Sequence, residues 1–100
     1  MNQEPQLPEI IKFLKENPTF RPILRLALDH ERKNEGNPEY KGWEWHDVRA
    51  YPPAKLVAEG IIKISYKSRR YTKYLLINRE ALRKALDELD REEVEKIFRK

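Results

Sequence analysis

One hundred residues with no cysteine, 21 Lys and Arg and 17 Asp and Glu allow one small core, and exclude a disulfide framework and thiol chemistry. His30 and His46 stand at no metal-ligand spacing, and no apolar run approaches the roughly 18 residues of a membrane span. Met1 to Pro8 lacks the basic and apolar regions of a signal peptide, so the expectation is a cytoplasmic chain with no membrane partner, no metal and no cofactor.

Met1 to Leu7 reads as a loose leader, and Pro8 opens a helix with Ile10, Ile11, Phe13 and Leu14 as its apolar positions. Asn17-Pro18 ends it. Thr19 is then placed to cap a second helix in which Phe20, Ile23, Leu24, Ala27 and Leu28 recur at the spacing of a core-facing stripe. That helix is expected to fade through His30, Glu31, Arg32 and Lys33 as a solvated end, leading into the loop Asn34-Glu35-Gly36-Asn37-Pro38. Trp43 to Ala50 predicts a short helix, and Tyr40, Trp43 and Trp45 around Gly42 are expected to pack over the core. After Tyr51-Pro52, a short helix from Pro53 to Glu59 ends at Gly60.

From Ile61 the period changes to two. Ile62, Ile64 and Tyr66 fall on one side of a strand, and Lys63, Ser65 and Lys67 on the other. Ser68-Arg69-Arg70 makes a turn and Tyr71 to Ile77 alternates again, so a hairpin is implied. Asn78 is a plausible N-cap for a helix with Leu82, Ala85, Leu86 and Leu89 on one face. The remainder, 90–100, is a helical extension bearing Val94, Ile97 and Phe98, either continuous with that helix or separately capped by Asp90 and Glu93. The fold class is therefore mainly α with a small antiparallel β-hairpin, an α+β domain over 8–89.

Charge is distributed unevenly along these elements. Residues 1–59 hold nine basic and ten acidic side chains, 60–79 six basic and none acidic, and 80–100 six basic and seven acidic. Concentrated on a hairpin, such an excess creates a field that attracts phosphates. Basic residues also guard an edge hairpin against aggregation, which is the simpler reading of the same residues. Abundant Lys, Arg and Glu without Cys resembles the composition of hyperthermophile proteins.

The junction Leu56-Val57-Ala58-Glu59-Gly60-Ile61-Ile62, with helices before it and a hairpin and helix after it, resembles the winged-helix (winged helix-turn-helix) superfamily of DNA-binding domains. The resemblance covers about Pro18 to Leu89 and is topological. It implies that 53–59 is the recognition helix and that SYKSRRYTKY, Ser65 to Tyr74, is the wing. That helix exposes little beyond Ala54, Lys55 and Glu59, few groups with which to read base edges. The expected contacts are therefore mainly Lys67, Arg69, Arg70 and Lys73 on phosphates, with Arg49 and Lys55 in support and Tyr71 as a candidate for stacking. Tyr66 and Tyr74 are expected in the core. Nucleic acid, DNA before RNA, is the expected partner, and no catalytic residue is assigned. The same fold also serves in protein docking, which makes a homodimer or a protein partner on the C-terminal helix the rival expectation.

Overall fold

In the computed structural model, which describes residues 6–48 and 54–98, these patterns resolve into α1 (Leu7–Glu16), α2 (Phe20–Lys33), α3 (Trp45–Val48), α4 (Ala54–Ala58), β1 (Ile62–Lys67), β2 (Thr72–Leu76) and α5 (Arg79–Phe98). The chain is mainly helical with a two-stranded antiparallel sheet. Leu7 belongs to α1 and packs against the core, so it is not part of the expected leader, of which residues 1–5 lie outside the described residues. Thr19 takes a helical backbone conformation and its side chain makes no cap hydrogen bond, so it does not close α2 in the expected way. Asn78 does cap: its Oδ1 accepts from the Ala81 amide at 3.0 Å.

Helix α5 runs unbroken to Phe98, without the second cap at Asp90 and Glu93 that was one of the two expectations. Both side chains reach α2 instead, Asp90 to Arg25 and Glu93 to Arg21. Leu82, Ala85, Leu86 and Leu89 form the buried stripe of α5, facing Ile10, Phe13 and Leu14 of α1 and Phe20, Leu24 and Ala27 of α2 in one core. Phe13 stacks on Phe20 with ring centroids 5.7 Å apart.

At the end of α4, the Ile61 amide donates to Leu56 O at 3.1 Å and the Gly60 amide to Val57 O at 3.0 Å. This Schellman turn needs the left-handed φ of +75° that Gly60 adopts, and it joins buried Leu56 to buried Ile61. Residues Ile61 and Ile62 thereby enter the core, and the hairpin leaves the body in a fixed direction.

Strand β1 departs from the simple alternation. Its register with β2 runs Ile62 with Leu76, Lys63 with Leu75 and Ile64 with Tyr74, then slips so that Tyr66 faces Lys73 and Lys67 faces Thr72. Ser65 is the extra residue of a β-bulge, and one extra residue reverses the facing of everything beyond it. Ile62 is buried as expected, but Ile64 is half exposed because it lies past the edge of the core. Trp43 bridges Tyr74 through paired backbone bonds of 2.9 and 2.8 Å, which places β2 between β1 and Trp43. Gly42, at φ +134°, makes this approach possible, since a Cβ there would stand 2.4 Å from Tyr74 O and 2.6 Å from Ser65 Oγ.

The Leu76 amide points to the same side of β2 as Tyr74, beyond the end of the Trp43 bridge, where it has no strand partner. Glu31 supplies one. Its Oε2 accepts from Leu76 N at 2.8 Å and from Trp43 Nε1 at 2.9 Å, and Arg79 Nε lies 4.0 Å from Oε1. Far from fading into solvent, α2 ends on a buried carboxylate at 7% exposure that joins it to β2, to Trp43 and to the first residue of α5. Burial pushes the Glu31 carboxyl above its ordinary 4.5, against the opposing pull of those hydrogen bonds and of Arg79. The folded chain therefore holds this proton more tightly than the unfolded one. The stability the group contributes is full below pH 4.5 and is lost as pH rises through the folded-state value.

Two consequences are measurable by urea unfolding. Glu31→Ala leaves two buried donors unmatched and is expected to cost about 2–4 kcal/mol. Glu31→Gln keeps one oxygen for both donors, and the expected result is a smaller loss that shrinks between pH 4.5 and 7 as the wild-type carboxylate gains its charge. A loss for Gln that equals the loss for Ala would show that the charge, rather than the acceptor, holds the junction.

Candidate nucleic-acid interface

The end of the hairpin is organised by one hydroxyl. Ser68 Oγ accepts from the amides of Arg70 and Tyr71, each at 3.2 Å, while the Ser68 amide donates to Tyr71 O at 2.9 Å. A serine bonding to the backbone two and three residues on holds a tight turn. Arg69 and Arg70 occupy its tip, both exposed, with exposed Lys67 beside them.

The bulge at Ser65 decides which aromatic rings accompany these cations. Directly opposed residues in an antiparallel ladder share a face, so Tyr66, opposite Lys73, lies on the face away from buried Tyr74. Tyr74 packs in the core as expected, 5.5 Å from the Trp43 ring. Tyr66 does not: it is half buried on the outer face, its ring 5.7 Å from that of Tyr71. Lys41 Nζ stands 4.2 Å from the Tyr66 centroid and Lys73 Nζ 5.1 Å from that of Tyr71, distances at which a ring face attracts a cation. Lys41 was missed in the sequence because nothing in a loop position indicates its neighbour across the fold.

Charge pairing is denser in the helical body than on the hairpin. Between helices, Lys15 pairs with Glu92, Arg21 with Glu93, and Arg25 with Asp87 and Asp90, while Arg79 of α5 pairs with Glu35 in the turn after α2. Within helices, Arg32 and Lys33 pair with Asp29, Lys84 with Glu80 and Arg91 with Glu88. Among the described residues, Lys63, Lys67, Arg69 and Arg70 form no ion pair, and in the body Lys12, Lys55, Arg83 and Lys96 form none either, but these are spread over helical segments that also carry acids, whereas 60–79 carries none. Lys73 differs from the other hairpin cations, being three-quarters covered and 3.9 Å from Glu44 Oε2. Lys55 is exposed on α4 and donates to Asn17 Oδ1 at 2.7 Å, away from the hairpin tip. Arg49, the other supporting cation, lies outside the described residues, as do Pro52 and Pro53.

Beside the tyrosine pair lies an open groove of about 580 Å³, lined by Tyr71 and Lys73 of the hairpin together with His30, Asn34, Tyr40, Lys41 and Asp47. Tyr40 Oη shares a 2.9 Å hydrogen bond with His30 Nδ1, and burial, helped by the charges of Glu31 and Asp47, pushes the phenol up to about 12. Tyr40 therefore stays neutral at ordinary pH. Ligand atoms of Glu44, His46 and Asp47 come within 4.8 Å of one another, a proximity the spacing of the histidines does not reveal. Asp47 Oδ2 also accepts from the Glu44 amide at 2.9 Å, the back-bond that starts α3. Trp43 is fully buried, whereas Trp45 is 46% exposed and stands edge-on to His46. At the far end of α5, Val94, Ile97 and Phe98 are exposed together at helical spacing.

Among the described residues, no helix is long and apolar enough to cross a membrane. No family model, curated protein or solved structure matches this chain.

Proposed function

We infer that this protein is a nucleic-acid-binding module of winged-helix type, whose hairpin meets the phosphate backbone through Lys67, Arg69 and Arg70. One observation carries the reading: Lys67, Arg69 and Arg70 cluster without a carboxylate partner, in a stretch with no acidic residue, on a turn braced by Ser68, whereas most cations of α1, α2 and α5, Lys12, Arg83 and Lys96 excepted, stand in ion pairs. Aggregation control alone requires charge on an edge but not a built tip that presents two adjacent arginines. Arginine suits the role, since its planar fork pairs with two phosphate oxygens at once and displaces condensed counterions.

The topology favours the winged-helix form through three features of one junction. Leu56 is buried, Gly60 turns the chain with positive φ, and Ile61 and Ile62 enter the core ahead of the hairpin. Helix α4, at five residues, offers only Ala54, Lys55, Ala58 and Glu59 as exposed side chains, so the hairpin carries the affinity and base reading by α4 is minor. Lys73, drawn toward Glu44 and Tyr71, is a weaker phosphate ligand than its three neighbours. The reading assigns no catalytic residue.

Replacing Arg69 and Arg70 together by Ala is expected to weaken binding to any nucleic-acid sequence. It should also reduce the slope of log K against log salt by about 1.8 on duplex DNA, the value for two lost phosphate contacts. Anisotropy titrations from 50 to 200 mM salt (roughly the range over which such slopes are resolved) measure it, and an unchanged slope removes the hairpin from the interface.

A second reading, docking of a protein partner, rests on the exposed Val94, Ile97 and Phe98. If α5 pairs with a second copy, sedimentation of the full chain gives a dimer that Ile97→Glu with Phe98→Glu returns to monomer. A monomer at all concentrations for the unaltered chain contradicts self-association.

A further inference from the structure

We propose that Tyr66 and Tyr71 form a stacking platform for unpaired bases, so that the hairpin prefers a single nucleic-acid strand to a duplex. This rests on the nucleic-acid reading above and specifies the form of its ligand. The platform exists only because the bulge at Ser65 turns Tyr66 outward to lie 5.7 Å from Tyr71, with Tyr71 still 41% exposed. Bases inside a duplex hide their faces against one another, whereas an unpaired base offers a ring face to any aromatic side chain. Lys67, Arg69 and Arg70 lie next to the rings in the chain, the arrangement in which phosphates run over the tip while a base leans on Tyr71.

The adjoining groove has the complementary chemistry. Glu39, Glu44 and Asp47 line it beside Lys41 and Lys73, so that, unlike the tip, it offers carboxylate oxygens that accept from the exocyclic amines of adenine, cytosine or guanine. Asn34 and His30 add polar groups to its lining. A strand is thus sorted in two directions, phosphates to the acid-free tip and base edges to the acid-lined groove. A duplex, with its base faces stacked and its Watson–Crick edges paired, offers no face to Tyr71 and meets the protein mainly at the tip.

The test compares a labelled single-stranded DNA, the RNA of the same sequence and the corresponding duplex, with full-length protein at fixed salt. The unaltered protein is expected to bind both single strands more tightly than the duplex. Tyr71→Ala is expected to weaken single-strand binding about tenfold and duplex binding less than about twofold, with Tyr71→Phe close to unaltered protein. Equal losses on single strand and duplex, or none on either, overturn the platform while leaving the arginine contacts standing. Failure to bind any of the three at low salt overturns the parent reading as well.

A second readout needs no variant. Photocrosslinking of a 5-iodouracil-substituted strand, mapped by mass spectrometry, is expected at Tyr66 or Tyr71, and crosslinks confined to other residues overturn the assignment. Tighter binding of RNA than DNA, or the reverse, tells which strand type the platform takes and supports the proposal in either case, provided the Tyr71→Ala loss is present.

Discussion

Two buried N–H groups, the Trp43 indole and the Leu76 amide, converge on the Glu31 carboxylate, and the placement of the hairpin depends on that convergence. A strand with a free side and no water beside it cannot leave its amides unmatched without losing a few kcal/mol. Here the Trp43 bridge satisfies Tyr74, and one carboxylate from α2 satisfies the next outward-facing amide. Arg79, 4.0 Å away and paired with Glu35, brings the start of α5 to the same point. The end of α2, the segment at Trp43 and the junction of β2 with α5 are thereby held by one carboxylate. Its cost is the desolvation that raises the Glu31 carboxyl above its ordinary value.

With its base held this way, the hairpin extends past the core, and its far half is free of packing demands. Ile64 shows where the core ends, since it lies on the inward side yet is half exposed. Beyond it the bulge, the tyrosine pair and the Ser68 turn build a surface rather than an interior. Lys15 of α1 and Arg21 and Arg25 of α2 meanwhile pair with acids of α5. The positive excess of the sequence therefore becomes, in space, a tip carrying Lys67, Arg69 and Arg70 with no acid opposite. Exposed pairs such as Arg25 with Asp87 add little stability individually. What separates body from tip is that acids accompany the cations of the helices, while 60–79 has none.

Much of this was legible in the sequence because it rests on periods and local chemistry. The stripes of α2 and α5, the Gly60 stop, the Asn78 cap and the acid-free segment 60–79 each follow from neighbouring residues alone. What was not legible depends on contacts between distant residues. Glu31 looks like one more charge in the run His30 to Lys33, and nothing nearby announces that Leu76, 45 positions on, lacks a partner. The Ser65 bulge is likewise silent: an inserted residue shifts the parity of a strand without altering its alternating pattern, so Tyr66 looked like a core residue. Its one trace is indirect. Gly42 is needed where the backbone approaches Tyr74 and Ser65, and only the folded chain brings those residues together.

The central claim, that the hairpin tip is the surface that meets nucleic acid, is tested most directly by following backbone amide signals of the labelled protein by NMR during addition of an oligonucleotide. The account predicts that the signals of Tyr66 through Lys73 shift progressively and saturably, while those of Asp87 and Asp90 on the charge-paired face of α5 stay in place. Shifts centred on α4 around Lys55 or on the end of α5, with the tip unmoved, would contradict it.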